Sequence, residues 1–125
     1  PMAEILTNIR RKLQMSRHMA RESKLFATEN LHGAPRTADT LSGDLKVLVD
    51  EKAAVIAAWS AQGKIAPLNP HHLLFSIWAM TQHYADFDIQ VRAILKPARE
   101  GDVFDEAEAF LTALFSRSLR PEAAE

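Results

Sequence analysis

The chain has 125 residues, 47% of them apolar and 25% charged, with 15 basic against 16 acidic side chains and a formal net charge of −1. That length builds one domain around one core, the composition is that of a folded globular chain, and the near-zero charge supplies no field that would draw it to a phosphate backbone. The absence of cysteine excludes disulfides, thiolate catalysis and cysteine zinc sites, and fits a reducing, intracellular setting.

Strand signals are nearly absent, because valine and isoleucine are scattered and no stretch alternates polar with apolar residues for long; the chain reads as all-α. Pro1 suits a first-turn position, and Ile5, Leu6, Ile9 and Leu13 recur at three-and-four spacing, which predicts a helix over about Met2 to Met19. Leu25, Phe26, Glu29 and Leu31 continue into a second helix, ended by a left-handed cap at Gly33 and a breaker at Pro35. A third helix is predicted over about Ala38 to Gln62, with Leu41, Leu45, Leu48, Val49, Val55, Ile56 and Trp59 as its buried stripe and Gly63 as its stop.

Asn69 followed by Pro70 marks a fourth start, since the asparagine side chain accepts from a free backbone N–H while proline occupies a position that needs none. This helix runs to about Ala85, loosens at "DFD" and resumes from Val91 to Leu95. Asp102 is the expected cap of a last helix, Val103 to Leu119, whose broad apolar face comprises Phe104, Ala107, Phe110, Leu111, Leu114 and Phe115, with Pro121 closing it. The connectors are short, so the predicted architecture is an antiparallel bundle of about five helices. No apolar run reaches the roughly 18 to 20 residues of a membrane span and the start lacks the order of a signal peptide, which predicts a cytoplasmic protein without membrane contact.

The fourth helix is apolar nearly all the way round, at Leu73, Leu74, Phe75, Ile77, Trp78 and Met80. Such a helix must be covered on every side, either by a second copy of the chain or by being the central helix of its own bundle. It also carries polar side chains: spacing puts Leu74, Trp78, Gln82 and Ala85 along one line, Thr81 beside it, and Tyr84 on a neighbouring face. A buried glutamine needs its carbonyl and amide satisfied, by another side chain, a water or a ligand. An indole next to a carboxamide also suits a planar amide-like ligand, the ring stacked on the indole and its N–H and carbonyl met by the glutamine.

Metal and catalytic readings find little. His71 and His72 are adjacent and point about 100° apart, and His83 with Asp86 is a pair without a third ligand. There is no glycine-rich phosphate loop, no Gly-x-Ser-x-Gly elbow and no pair of carboxylates placed for acid–base work, so neither an enzyme, a metal site nor a cofactor is expected. The run Arg10, Arg11, Lys12 reads as the wet face of an amphipathic helix.

The segments "ESKLFATENLHGAP" (Glu22 to Pro35), "LSGDLKVLVDEKAAVIAAW" (Leu41 to Trp59), "GKIAPLNPHHLLFSIWAMTQHYADF" (Gly63 to Phe87) and the closing "RSLRP" resemble the C-terminal regulatory domain of tetracycline-repressor (TetR) family transcription factors, in its RutR-like, pyrimidine-utilisation branch. The most specific part is "IWAMTQHYADF". The resemblance departs at Asn30, where such chains usually carry an apolar residue, and in the polarity of "MSRHMARESK".

The resemblance implies that residues 1–125 are a ligand-binding and dimerisation domain, the N-terminal helix-turn-helix DNA-binding module being absent. It implies a homodimeric repressor whose DNA contact runs only through that module and whose small-molecule effector is uracil or thymine. The segments matching Pro70 to Leu95 and Asp102 to Leu119 would pair with their copies in a four-helix bundle. Trp78 and Gln82 carry over as ligand contacts, with Thr81 and Tyr84 as further candidates. The alternative reading is a structural helical dimerisation module without a ligand.

Overall fold

The computed structural model describes residues 1–33, 43–99 and 101–121. Among them are six helices and no strand: α1 (Met2–His18), α2 (Ala20–Leu31), α3 (Asp44–Ala61), α4 (Pro70–Asp86), α5 (Asp88–Leu95) and α6 (Asp102–Ser118). The all-α class is therefore right, and the sixth helix comes from the expected loosening near "DFD", which is a clean break. Phe87 leaves helical geometry at φ −121° and ψ 33°, yet its N–H still donates to the His83 carbonyl at 2.9 Å. Met19 adopts nearly the same conformation between α1 and α2, so the second helix begins at Ala20, well ahead of Leu25.

Helix α1 buries Ile5, Ile9 and Leu13, four residues apart on one face, and continues that stripe with Ser16. It lies against α4 and α6, while α2 and α3 also pack on α4, so α4 is central to the bundle. This placement accounts for the apolar girth of α4. Leu73, Leu74, Ile77, Thr81 and Ala85 are buried, whereas Phe75 and Met80 remain exposed. Helix α2 has no buried residue at all. None of the helices among the described residues is long and apolar enough to cross a membrane.

The helix ends follow local chemistry where it is strong. Asn69 Oδ1 accepts from the His72 N–H at 3.2 Å, with Pro70 in the first turn. At the end of α3, Gly63 takes φ 71°, its N–H donates to the Ser60 carbonyl at 3.1 Å and the Lys64 N–H to the Trp59 carbonyl at 2.9 Å, the paired bonds of a Schellman motif. Gly33 has φ 87°, as its expected role requires; Pro35 lies outside the described residues.

Two expectations are corrected. Gly101, not Asp102, is the cap position of α6 and supplies no side-chain bond; Asp102 is the first helical residue, and its carboxylate accepts from the Arg99 N–H at 3.2 Å. Along α3 only Val49 and Ile56 of the predicted stripe are buried and Leu45 and Trp59 half-buried, while Leu48 and Val55 are 48% and 50% exposed. The physical reason is that α3 packs chiefly on α4, so a narrower face is covered than its apolar content suggests. Leu41 and the stretch from Ala38 lie outside the described residues. On α6, Phe104, Ala107, Leu111 and Phe115 are buried and Leu114 half-buried, but Phe110 is 60% exposed.

Candidate effector site

Helix α4 sorts its side chains by angle around its axis. The buried line Leu73, Ile77, Thr81, Ala85 faces the core. Trp78 and Gln82, one turn apart, stand on one flank of that line; Met80 and Tyr84 stand on the other.

Trp78 is half-buried, packs against the core cluster and meets the Phe75 ring at a centroid distance of 5.7 Å. Thr81 is 0% exposed, and its hydroxyl donates to the carbonyls of Ile77 at 2.7 Å and Trp78 at 3.2 Å, so its proton is used within its own helix. Tyr84 is half-buried beside Phe104, ring centroids 6.4 Å apart, and borders a hollow of about 330 Å³ between α4 and α6 with His83, Phe110 and Leu114. The four expected contacts thus divide between two flanks and the core.

Gln82 is half-buried, and its side chain makes no hydrogen bond among the described residues. It borders two cavities. One, of about 160 Å³, lies between α1, α2 and α4 and is lined by Lys12, Met15, Ser16, Ser23, Phe26 and Gln82. The other, of about 660 Å³, lies against α2 and the end of α4, with Lys24, Phe26, Leu31, Gln82 and Phe87 around it. Gln82 and Phe26 are the wall between them. A third cavity, of about 230 Å³ and mostly apolar, lies between α1, α3 and α4 at Ile5, Val55, Trp59 and Leu74. Trp78 borders none of these three.

Polar links hold α2 over the cavities. The Ser23 hydroxyl donates to Asp86 Oδ1 at 2.5 Å, and Lys24 Nζ lies 2.8 Å from Asp88 Oδ1. The hydrogen bond from Lys24 holds the Asp88 carboxyl below the usual carboxylate range, against the opposing effect of burial. On the far side, Arg10 and Arg17 of α1 lie 3.7 and 3.6 Å from Glu108 and Asp105 of α6. Lys12 is pushed below the ordinary lysine value, first by burial and then by the like charge of Lys52. Among the described residues, no three histidine, aspartate or glutamate side chains gather as a metal would need.

Sequence reasoning put Lys12 on a wet face with Arg10 and Arg11, whereas only the two arginines are exposed and Lys12 is half-buried at a cavity; it passed over Ser16 and Phe26 as lining residues. The available signal was Ser16, a hydroxyl at helical spacing on the stripe of Ile5, Ile9 and Leu13, where an apolar side chain belongs.

The geometry defines an all-helical domain whose central helix is flanked by cavities, and comparison with known proteins supplies its family. The chain belongs to the TetR-type family described as "YcdC-like protein, C-terminal region", which it matches over residues 1–122. It is 52% identical over 104 residues to the HTH-type transcriptional regulator RutR of Escherichia coli strain K12, covering 83% of this chain and 49% of that protein. The same identity and coverage are found for the proteins of that name in Shigella flexneri and in Escherichia coli O6:H1. The chain therefore spans about half the length of the curated relatives it matches. These relatives are named as transcriptional regulators, a family that is not enzymatic.

Proposed function

We propose that this domain binds a small planar effector, of the uracil or thymine kind, beside Gln82, and that it works as a homodimer controlling a helix-turn-helix module of the type for which its relatives are named. The observation that carries the reading is the Gln82 carboxamide, which has no protein partner among the described residues and stands at the wall of two cavities. A carboxamide offers one acceptor and two donors, the complement of a ring edge in which an N–H adjoins a carbonyl. Trp78 stands a turn away on the same flank but lines neither cavity at Gln82, so its aromatic contact requires the ligand to reach past the cavity wall. Thr81 fixes the local helix from behind, and Tyr84 belongs to the flank that faces α6.

A ligand-free dimerisation module would have its glutamine bonded to a neighbouring helix and no space beside it. The open cavities favour the effector reading over that alternative. Dimerisation is supported by the exposed Met80 and Phe110 and by the hollow between α4 and α6, a continuous apolar surface that a second copy would cover. A regulator of this kind acts on DNA in the cytoplasm, reaching it through the helix-turn-helix module alone.

Effector control requires the ligand to favour one arrangement of the domain by about 1 to 3 kcal/mol. Thermal-shift measurements with uracil and thymine test the reading: both raise the melting temperature of the 125-residue chain, and Gln82→Ala removes the rise while retaining the helical circular dichroism. No shift with either compound sinks the pyrimidine assignment. Light scattering that finds a monomer at micromolar concentration sinks the dimer.

A further inference from the structure

We propose that the groove between α1 and α3 is a docking site for an amphipathic α-helix of a partner protein, one whose apolar ridge is flanked by carboxylates that meet Arg11 and Lys52. Gln82 borders neither hollow of this groove, so the inference stands apart from the effector reading.

Both α1 and α3 pack on α4. Between them two hollows adjoin, with Glu4, Asn8 and Lys52 in the walls of both: a mostly apolar one of about 230 Å³ at Val55 and Trp59, and a polar one of about 440 Å³ that reaches Arg11. Along α3, Leu48, Lys52, Val55 and Trp59 follow one another at spacings of four, three and four residues. They therefore form a single row about 16 Å long, or three helical turns. That is the pattern of a buried seam, yet Leu48, Lys52 and Val55 are exposed and Trp59 is only half-buried. A row of this length and spacing, set in a groove between two helices, is what a third helix covers. The described residues contain no strand, so an extended peptide finds no backbone edge to pair with here.

The charges select the occupant. Arg10, Arg17, Lys24 and Lys46 all have carboxylate partners within the fold. Arg11, Lys12 and Lys52, on the side where α1 faces α3, take part in no ion pair among the described residues. Burial, and then the like charge of Lys52, hold the Lys12 ammonium below the ordinary lysine value. The groove thus concentrates positive charge that the described residues leave uncompensated, and carboxylates from outside relieve it. Glu4 is the exception: its carboxylate lies 3.5 Å from the terminal ammonium of Pro1 and marks the end of the groove where the partner should carry no acid. An apolar floor with a cationic rim matches a helix with leucine-type residues at three-and-four spacing and glutamate or aspartate beside them.

The test is fluorescence anisotropy with two labelled peptides of about 15 residues, long enough to form helix on binding. Both carry leucine at three-and-four spacing; one flanks the leucines with glutamate and the other with lysine. The glutamate peptide is expected to bind the 125-residue chain at least about tenfold more tightly than the lysine peptide. Lys52→Glu and Arg11→Glu, each at an exposed position, are expected to weaken the glutamate peptide and strengthen the lysine peptide, an exchange that loss of folding cannot produce. Equal affinity for the two peptides, or a glutamate-peptide affinity untouched by both substitutions, overturns the inference. Light scattering in which Lys52→Glu dissociates the peptide-free chain overturns it as well, because the occupant is then a second copy.

Discussion

Lys24 of α2 and Asp88 at the start of α5 form an ion pair of 2.8 Å that fastens the α2 cover beside the break at Phe87. Because the Asp88 pKa is lowered in the folded chain, chiefly by the hydrogen bond from Lys24, its contribution is complete above the ordinary carboxylate value and is lost as pH falls through the folded value. Both side chains are partly solvated, 40% and 31% exposed, so the pair contributes no more than about 1 kcal/mol. Urea denaturation of Asp88→Asn at pH 7 should show a loss of that size, and the difference from the parent should shrink as pH falls below the ordinary carboxylate range.

Lys12 gives the opposite sign. Its pKa is lowered by burial and then by Lys52, so the charged form destabilises the fold below the lowered value, and the penalty is relieved as pH rises towards the unfolded value of 10.5. Lys12→Met keeps the length of the side chain and removes the charge. The variant is expected to melt at a higher temperature than the parent at pH 7, with the gap narrowing at pH 10. An equal or lower melting temperature at pH 7 would contradict this account of the α1 environment.

Leu13 is 0% exposed and stands on the α1 stripe that meets α4 and α6. Truncation to alanine removes buried methyl groups and leaves a cavity, at a cost of about 2 to 5 kcal/mol. Chemical denaturation of Leu13→Ala checks the figure, with Leu48→Ala as a control at a half-exposed position where less than about 1 kcal/mol is expected.

Asp50 of α3 accepts hydrogen bonds from Lys46 in its own helix and from His71 Nε2 of α4, the latter at 2.9 Å. Both partners hold its carboxyl below the usual carboxylate range, Lys46 more than His71. Carbon-detected NMR titration should find the Asp50 carboxyl titrating below the ordinary aspartate range. Lys46→Ala and His71→Ala should each move it upward, the first further than the second.

The helical class and most boundaries were readable in the sequence because the determinants are local. Asn69 and Pro70 place the start of α4 with an acceptor and an imino acid, and Gly63 ends α3 by taking a left-handed conformation, without help from distant residues. Asp102 misled because capping depends on the backbone path from Arg99, which turns the carboxylate to accept from that residue instead. Leu48 and Val55 looked like core because apolar spacing reports what could be covered, while coverage depends on how many helices arrive. The candidate site divides the same way. Gln82 was visible as a polar residue out of place on an apolar helix. Its companions on α1 were not, since only the packing of α1 across α4 brings Lys12 and Ser16 to it.

Helix α2, which buries none of its own residues, roofs both cavities at Gln82 and is linked to Asp86 and Asp88 through Ser23 and Lys24. A helix held this way is expected to open locally at a lower free energy than the buried helices. Its backbone amides should exchange with deuterium sooner than those of α1, and a molecule arriving from solvent has a doorway that spares the central helix any disturbance.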